Sequence, residues 1–460
     1  MSLDMQMTIL IVDDSGTMRL MFQQYLKHAG FENFVLAKNG EDAIEKLKSN
    51  KIDLIISDWN MPRMDGLELL QWVRRDDACK LIPFIMATAQ GDKTQQARVR
   101  DEGGNGHIAK PFDTQQIKDK ILQVFGLLDG AGSAAQERKF VDGKVLLKAA
   151  HIQITDHLVL GVLRHQIETG AVTPKHFALE TQKMPGWNPL QELLENGDVD
   201  CAFVLAPIAM DLFAFDTPIK LVLLAHKNGS SFIRSKNYDP VIYPDLKSFY
   251  KYKVVDIPHK MSIHNMLAHQ FLTELGLRPG VPGKKAIDVR FEVVPPIKMP
   301  SIMKENEEVG GFMVAEPIAS KAVALGIGEL EFMSTEMWDN HPCCVAAMRD
   351  EFIEAFPDAV YEFTDLLVKA GKFVSENLET SAEIAVNFLD PDGSLGLKTE
   401  ILEKVLSAPR GIKTGDLYPV LEDLDRIQKY MHDVMGIGKL IDVESFVDLR
   451  FADAACRPLA

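Results

Sequence analysis

The sequence predicts two α/β units in series: a five-stranded parallel sheet with helices on both faces, then a two-lobed α/β unit that ends in helices. Three observations lead there. Short apolar runs alternate with helix-period segments through the first 127 residues. A stretch with no apolar period, GLLDGAGSAAQERKF, then breaks the pattern. Beyond it the alternation resumes over a longer span and turns wholly helical from about Asp350.

In the first unit, residues 1–127, strands are expected at Thr8–Val12, Asn33–Ala37, Leu54–Ser57, Ile82–Ala87 and His107–Ala109. Helix-period segments such as Thr17–His28 and Gly40–Ser49 lie between them, which is the pattern of a parallel sheet covered on both sides. The Gly, Ala, Ser and charge-rich stretch sets a linker at residues 128–140. The second unit, residues 141–460, is expected to hold strands at Val145–Ile154, Phe177–Thr181, Cys201–Leu205, Lys220–Ala225, Val254–Ile257, Arg290–Val294 and Gly311–Val314. After Asp350, apolar residues recur at intervals of three and four, which predicts amphipathic helices.

Composition narrows the function. The 460 residues carry 50 Lys+Arg and 66 Asp+Glu, a formal net charge of −16. A general nucleic-acid binder needs a basic face, so direct DNA binding is not expected. No apolar run approaches the roughly 18 residues of a membrane span, so no membrane insertion is expected. MSLDMQMTILIVDD does not read as a secretory signal, which points to the cytoplasm. The five cysteines, Cys79, Cys201, Cys343, Cys344 and Cys456, are too scattered for a disulfide framework and read as reduced thiols. The adjacent pair Cys343–Cys344 lacks CxxC spacing and a second pair nearby, which argues against zinc.

The first unit concentrates its chemistry at strand ends. Asp13 and Asp14 close the first strand, Asp58 the third, Thr88 the fourth and Lys110 the fifth. In a parallel sheet these ends share one edge. Three carboxylates there repel one another unless a cation joins them, and hard oxygen ligands suit Mg²⁺. A carboxylate can attack a phosphoryl group, and Lys110 would neutralise charge on the transferred group. Thr88 could donate a hydrogen bond to a phosphoryl oxygen. In order and spacing, ILIVDDS, DLIISDWNMPRMDG, PFIMATA and HIAKPF resemble the receiver domain of two-component response regulators, over residues 6–127. The resemblance implies a flavodoxin-like fold and phosphorylation of Asp58 by a sensor histidine kinase or phosphotransfer protein. It implies Mg²⁺ on Asp13, Asp14, Asp58 and the backbone carbonyl of Asn60, with Thr88 and Lys110 as switch residues. A homodimer through the receiver stays open. One position departs: His107 stands where receivers place Tyr or Phe, so coupling through that ring is in question, and a partly exposed strand residue is the plainer reading.

The second unit reads as two lobes closing on a cleft, with polar candidates at strand ends: Asp156, Trp187, Asn228, Gly229, Ser230, Ser262, His264 and Glu316. Ser262 is placed to cap the helical run HNMLAHQFLTELG, whose free N–H groups suit an anion, and His264 in the same turn could add a donor. Trp187 could wall the cleft. The plainer readings are a cap alone for Ser262, satisfied histidines for His264 and His157, a core Trp187, and a Glu316 paired with a lysine.

GWNPLQELLENGDVDCAFVLAP, HKNGSS, SIHNMLAHQFLTELGL, VVPPIKM and GGFMVAEPIASKAVALGIG resemble the periplasmic-binding-protein-like substrate-binding proteins of nitrate, bicarbonate, sulfonate and thiamine-precursor uptake. The similarity spans about residues 143–453 and is greatest to the nitrate-type branch and its cytoplasmic sensor relatives. It implies a small ligand, a nitrate-like anion or a sulfonate or thiamine-precursor-like organic solute. Phe203 stands where the nitrate branch usually has His, and Ser230 where a larger amide is common, which weakens nitrate and favours a bulkier or less charged ligand.

The expected function is therefore a cytoplasmic response regulator, phosphorylated on Asp58, whose output domain senses a solute. Apart from the receiver's own phosphoryl transfer and dephosphorylation, no enzyme is expected. The alternatives are a thiamine-precursor-synthase-like enzyme using Cys343–Cys344, and a transcription regulator; the acidic second region speaks against the latter.

Overall fold

The computed structural model describes residues 5–76, 78–89, 98–99, 102–110, 112, 114–125, 139–280, 287–393 and 395–456. The chain divides into two compact units, Met1–Ala134 and Ala135–Ala460. Most of the expected linker lies outside the described residues, while Phe140, its last residue, already belongs to a strand.

The first unit is one sheet of β1 (Thr8–Val12), β2 (Asn33–Ala37), β3 (Leu54–Asp58), β4 (Phe84–Ala89) and β5 (Gly106–Lys110). The order is β2-β1-β3-β4-β5 and every pairing is parallel. The strands read as continuous apolar runs because both faces are covered. Ile9, Ile11, Leu54, Ile56, Ile85 and Ala87 enter one core, while Leu10, Val12, Ile55, Phe84 and Met86 enter the other. Each such large side chain contributes about 1.5–3 kcal/mol on full burial. The helices start at designed caps: Ser15 accepts from Met18 N–H, Asn39 from Asp42 N–H, and Asp65 forms a capping box with Glu68.

The second unit contains two six-stranded sheets. The first lobe uses β6 (Phe140–Val141), β7 (Lys144–His151), β8 (Phe177–Lys183), β9 (Cys201–Leu205), β10 (Ile219–Leu224) and β17 (Cys344–Arg349). The second uses β11 (Ser230–Ser235), β12 (Val254–Ile257), β13 (Pro279–Gly280), β14 (Val289–Val293), β15 (Val309–Ala315) and β16 (Gly328–Met333). The chain thus leaves the first lobe through residues 225–229 and returns through residues 334–343. These two crossings are tied together: Asn228 N–H donates to the His341 carbonyl at 3.0 Å, and Lys227 bridges to Pro342 and to Lys413. The C-terminal helices include Pro357–Glu376, whose Gly371 lies so close to the Thr414 carbonyl oxygen that a Cβ would meet it at 2.2 Å.

β7 is shorter than its apolar pattern suggests, stopping at His151 because Thr155–His157 form a 3₁₀ turn. β6, β11, β13, β16 and β17 lie outside the strands that the apolar pattern predicts. β17 is wholly apolar up to Arg349 and runs straight into helix Asp350–Ala355, so no turn residue marks its end.

Asp256, on β12 at the centre of the second lobe, is a buried carboxyl whose two oxygens have no hydrogen-bond partner. Its register partner on β14 is Glu292. Burial, then repulsion from Glu292, pushes its pKa up to about 8. The unfolded carboxyl titrates near 4, so its stabilising contribution is complete below that pH and is lost as pH rises through about 8. Asp256→Asn should remove this dependence: urea unfolding across pH 4–9 should show the variant gaining on the parent as pH rises.

Candidate functional site

Two sites emerge, one in each unit. At the carboxyl edge of the first sheet, Lys110 Nζ lies 2.6 Å from Asp13 Oδ2 and 2.6 Å from Asp58 Oδ1. Asp13 and Asp58 are buried, and Asp14 beside them is exposed. Charge-assisted bonds of this length are strong, and they pin two carboxylates from different strands to one cation. Asp13 Oδ1 accepts from Ser15 N–H at 2.9 Å, and Asp58 Oδ2 from Asn60 N–H at 3.0 Å. Burial pushes the Asp58 carboxyl up, Lys110 pulls it down, and Asp13 and Asp14 push it up again, with a net rise. Both acidic neighbours are therefore close enough to repel Asp58, the arrangement a divalent cation relieves.

Gly66 starts the next helix against this edge: its N–H donates to Trp59 O at 2.8 Å, and a Cβ would fall 2.1 Å from Asp58 O. Thr88 sits on β4 in register with Ala109, and its side chain lies outside the described residues. His107 is a half-buried strand residue opposite Met86.

The second site lies where the crossings meet the two lobes. Asp156 follows β7 in the 3₁₀ turn, His226 and Asn228 sit on the first crossing, and His341 and Cys343 on the second. Cys344 opens β17. Ser230 opens β11, His264 lies in the first turn of helix Ile263–Glu274, and Glu316 follows β15. Asp156, His157, His226, Asn228, His341, Cys343 and Cys344 all have 0% exposure.

Asp156 is the hub. Its Oδ2 lies 3.1 Å from His226 Nε2 and 3.6 Å from each of the Cys343 and Cys344 sulfurs. Burial would push Asp156 up, but His226, then His264 and His157, hold it below the usual carboxylate range. Burial lowers His226, but Asp156 outweighs it and raises the ring to about 10. Burial keeps the other rings neutral, lowering His264 to about 4 and His157 and His341 to about 3.

The expected cleft residues divide. Asp156, Ser230, His264 and Glu316 are brought together: Ser230 Oγ is 3.0 Å from His264 Nε2, and Glu316 O accepts from Thr155 N–H at 2.9 Å. Glu316 Oε2 accepts from Ser320 N–H and Oε1 from the Ser231 hydroxyl, and no lysine among the described residues pairs with it; burial raises its pKa. Trp187 is buried and meets His157 edge-on at 5.8 Å. Asn228 and Gly229 both take positive φ, 60° and 85°, which turns the chain into β11. The Ser262 hydroxyl is committed within its own segment, accepting from Asn265 N–H and donating to His259 O. His226 and His341 carry no signal in the sequence, His157 reads there as a satisfied histidine, and the spacing of Cys343–Cys344 argues against zinc; the fold nonetheless gathers Cys343 and Cys344 with His226 and Asp156. Phe203 is buried beside His157, with ring centroids 5.8 Å apart.

Many polar atoms here have no protein partner: Asp156 Oδ1, His157 Nε2, Trp187 Nε1, His226 Nδ1, Asn228 Oδ1, His264 Nδ1 and His341 Nε2. Buried polar groups are nearly always paired, so donors and acceptors concentrated like this fit a small polar ligand or ion.

Comparison with known proteins follows the same division. A family model of the response regulator receiver domain matches residues 9–122, and one of the NMT1-like family matches residues 143–388. Chemotaxis protein CheY of Pseudomonas aeruginosa is 40% identical over 124 residues, 27% of this chain and 100% of that protein. The ligand-binding component of an ABC-type import system from Staphylococcus aureus, solved with zinc bound, aligns with TM-score 0.59 and 21% identity over 68% of this chain and 99% of that one. The periplasmic nitrate-binding protein NrtA from Synechocystis PCC 6803 aligns with TM-score 0.58 and 19% identity over 67% of this chain and 88% of that one. At such identities the last two establish the fold alone.

Ser230→Ala would leave both nitrogens of the buried His264 ring without a partner. The expected cost is about 1–3 kcal/mol, read from denaturant unfolding of the second unit.

Proposed function

The chain belongs to the NMT1-like family and carries a response regulator receiver domain ahead of that match, and from this premise we propose that it is a phosphorylation-controlled solute sensor. The observation that carries the receiver half is Lys110 Nζ at 2.6 Å from both Asp13 and Asp58. The Asp58 carboxylate attacks phosphorus, the P–N bond of a phosphohistidine donor breaks, and an acyl phosphate forms on Asp58. The donor is a sensor histidine kinase or a phosphotransfer protein. Lys110 shifts its contact from the Asp58 carboxylate to a phosphoryl oxygen, and Thr88 donates to another. Asp13, Asp14, Asp58 and the Asn60 carbonyl would hold Mg²⁺, which supplies charge neutralisation for the incoming group. A phosphodonor of this kind supports a cytoplasmic location. A homodimer through the receiver is compatible with this role.

The second unit binds a small polar solute at the Asp156–Ser230–His264 cluster, with Trp187 and Phe203 as apolar wall. Neutral His264 and Ser230 offer hydrogen bonds without net charge, which suits an anionic or polar organic solute better than a cationic one. Among the described residues no helix is long and apolar enough to cross a membrane. The net charge of −16 speaks against DNA as the partner.

Acetyl phosphate with Mg²⁺ should add one phosphoryl mass to the chain and none to Asp58→Asn. Calorimetric titration with nitrate and with an alkanesulfonate, with and without a phosphoryl mimic on Asp58, tests the link between the units. Coupled sites must show different affinities, and equal affinities would remove the coupling.

A further inference from the structure

Asp156, His226, Cys343 and Cys344 place one potential ligand atom each within 4.8 Å of all the others, and every one of these residues is fully buried. We propose that these four side chains form a tetrahedral Zn²⁺ site that fastens the β7 turn of the first lobe to both crossing segments. The donor set is imidazole, two thiols and a carboxylate, the mixture that suits zinc and disfavours Mg²⁺ or Ca²⁺.

Three of the six ligand-to-ligand distances match those of a loaded site. Zinc lies about 2.0–2.1 Å from N and O and about 2.3 Å from S, which sets tetrahedral edges near 3.3 Å for N···O and near 3.5 Å for S···O. The corresponding separations are 3.1 Å for His226 Nε2 to Asp156 Oδ2, and 3.6 Å from that oxygen to each sulfur. Adjacent residues in a regular strand point to opposite faces. Here Cys343 precedes the first residue of β17, so the two thiols converge on one carboxylate.

Burial is a second observation independent of the distances: all four residues have no exposure, so bulk water does not compete for their ligand atoms. Four protein ligands close the coordination shell, the mark of a structural site. Because Asp156 belongs to the first lobe while His226 and Cys343 lie on opposite crossings, zinc would fix the pivot between the lobes. Asp156 is shared with the solute-binding reading, but the test below reads metal binding alone, so the two can fail separately.

The test is a Co²⁺ titration of the full chain, stripped by chelator under reducing conditions, in excess Mg²⁺ to fill carboxylate-only sites of the receiver. A thiolate-to-cobalt charge-transfer band should saturate at one Co²⁺ per chain and vanish on adding one equivalent of Zn²⁺. The band should be lost when Cys343→Ser and Cys344→Ser are combined, and kept in Cys456→Ser. Zn²⁺ should raise the thermal midpoint of the parent and leave that of His226→Gln unmoved. Absence of the band in the unsubstituted chain would overturn the proposal whether or not the variants fold. A band that survives the double substitution would overturn it too.

Discussion

Asp156 is a carboxylate without any exposure to water, and much of the second unit is arranged around keeping it paired. Removing a carboxylate from water costs several kcal/mol even after relaxation, and only close, well-oriented partners offset it. Those partners cannot come from one element. His226 arrives on the first crossing, Cys343 on the second, Cys344 at the start of β17, and the Thr155 beside Asp156 is held by the Glu316 carbonyl from the other lobe. Satisfying one buried charge thus brings both lobes and both crossings to one point. That point is also where the two crossings carry the chain from sheet to sheet.

The first unit solves a related problem with a different partner. Asp13 and Asp58 are buried at strand ends and share Lys110, a cation from a third strand. The arrangement holds the carboxylates converged yet lets them be approached from the exposed Asp14 side. In the first unit parallel strands deliver their carboxyl ends to one edge, whereas in the second the antiparallel strands β17 and β11 bring their first residues, Cys344 and Ser230, to the site. The difference is access: the receiver's site opens on solvent, and the Asp156 cluster does not.

How much of this is legible in the sequence differs between the units. In the first, side chains at successive strand ends carry the chemistry, and apolar runs mark the strands, so Asp13, Asp14, Asp58 and Lys110 can be placed from the sequence. The second unit is less readable. Asp156, Ser230, His264 and Glu316 stand out as polar groups beside strand or helix ends, and the fold does gather them. His226 and the Cys343–Cys344 pair are more than one hundred positions apart, and no metal-ligand spacing links them. They meet only because β10 and β17 are antiparallel neighbours, with Leu224 opposite Val345. β17 itself is hard to see, since its apolar run flows into a helix with no turn signal at its end. Ser262 shows the opposite failure: its position is right for an anion-binding helix start, but its hydroxyl is used within the segment.

The central claim is that the polar cluster around Asp156 is completed by something the chain itself does not supply. Native mass spectrometry of the freshly purified chain tests this most directly, with the same spectrum taken after denaturation as the reference. The expected result is a native mass above the chain mass by a bound ion or small molecule, released on denaturation and abolished by Asp156→Asn. A native mass equal to the bare chain, unchanged after incubation with Zn²⁺, nitrate or an alkanesulfonate, would contradict it.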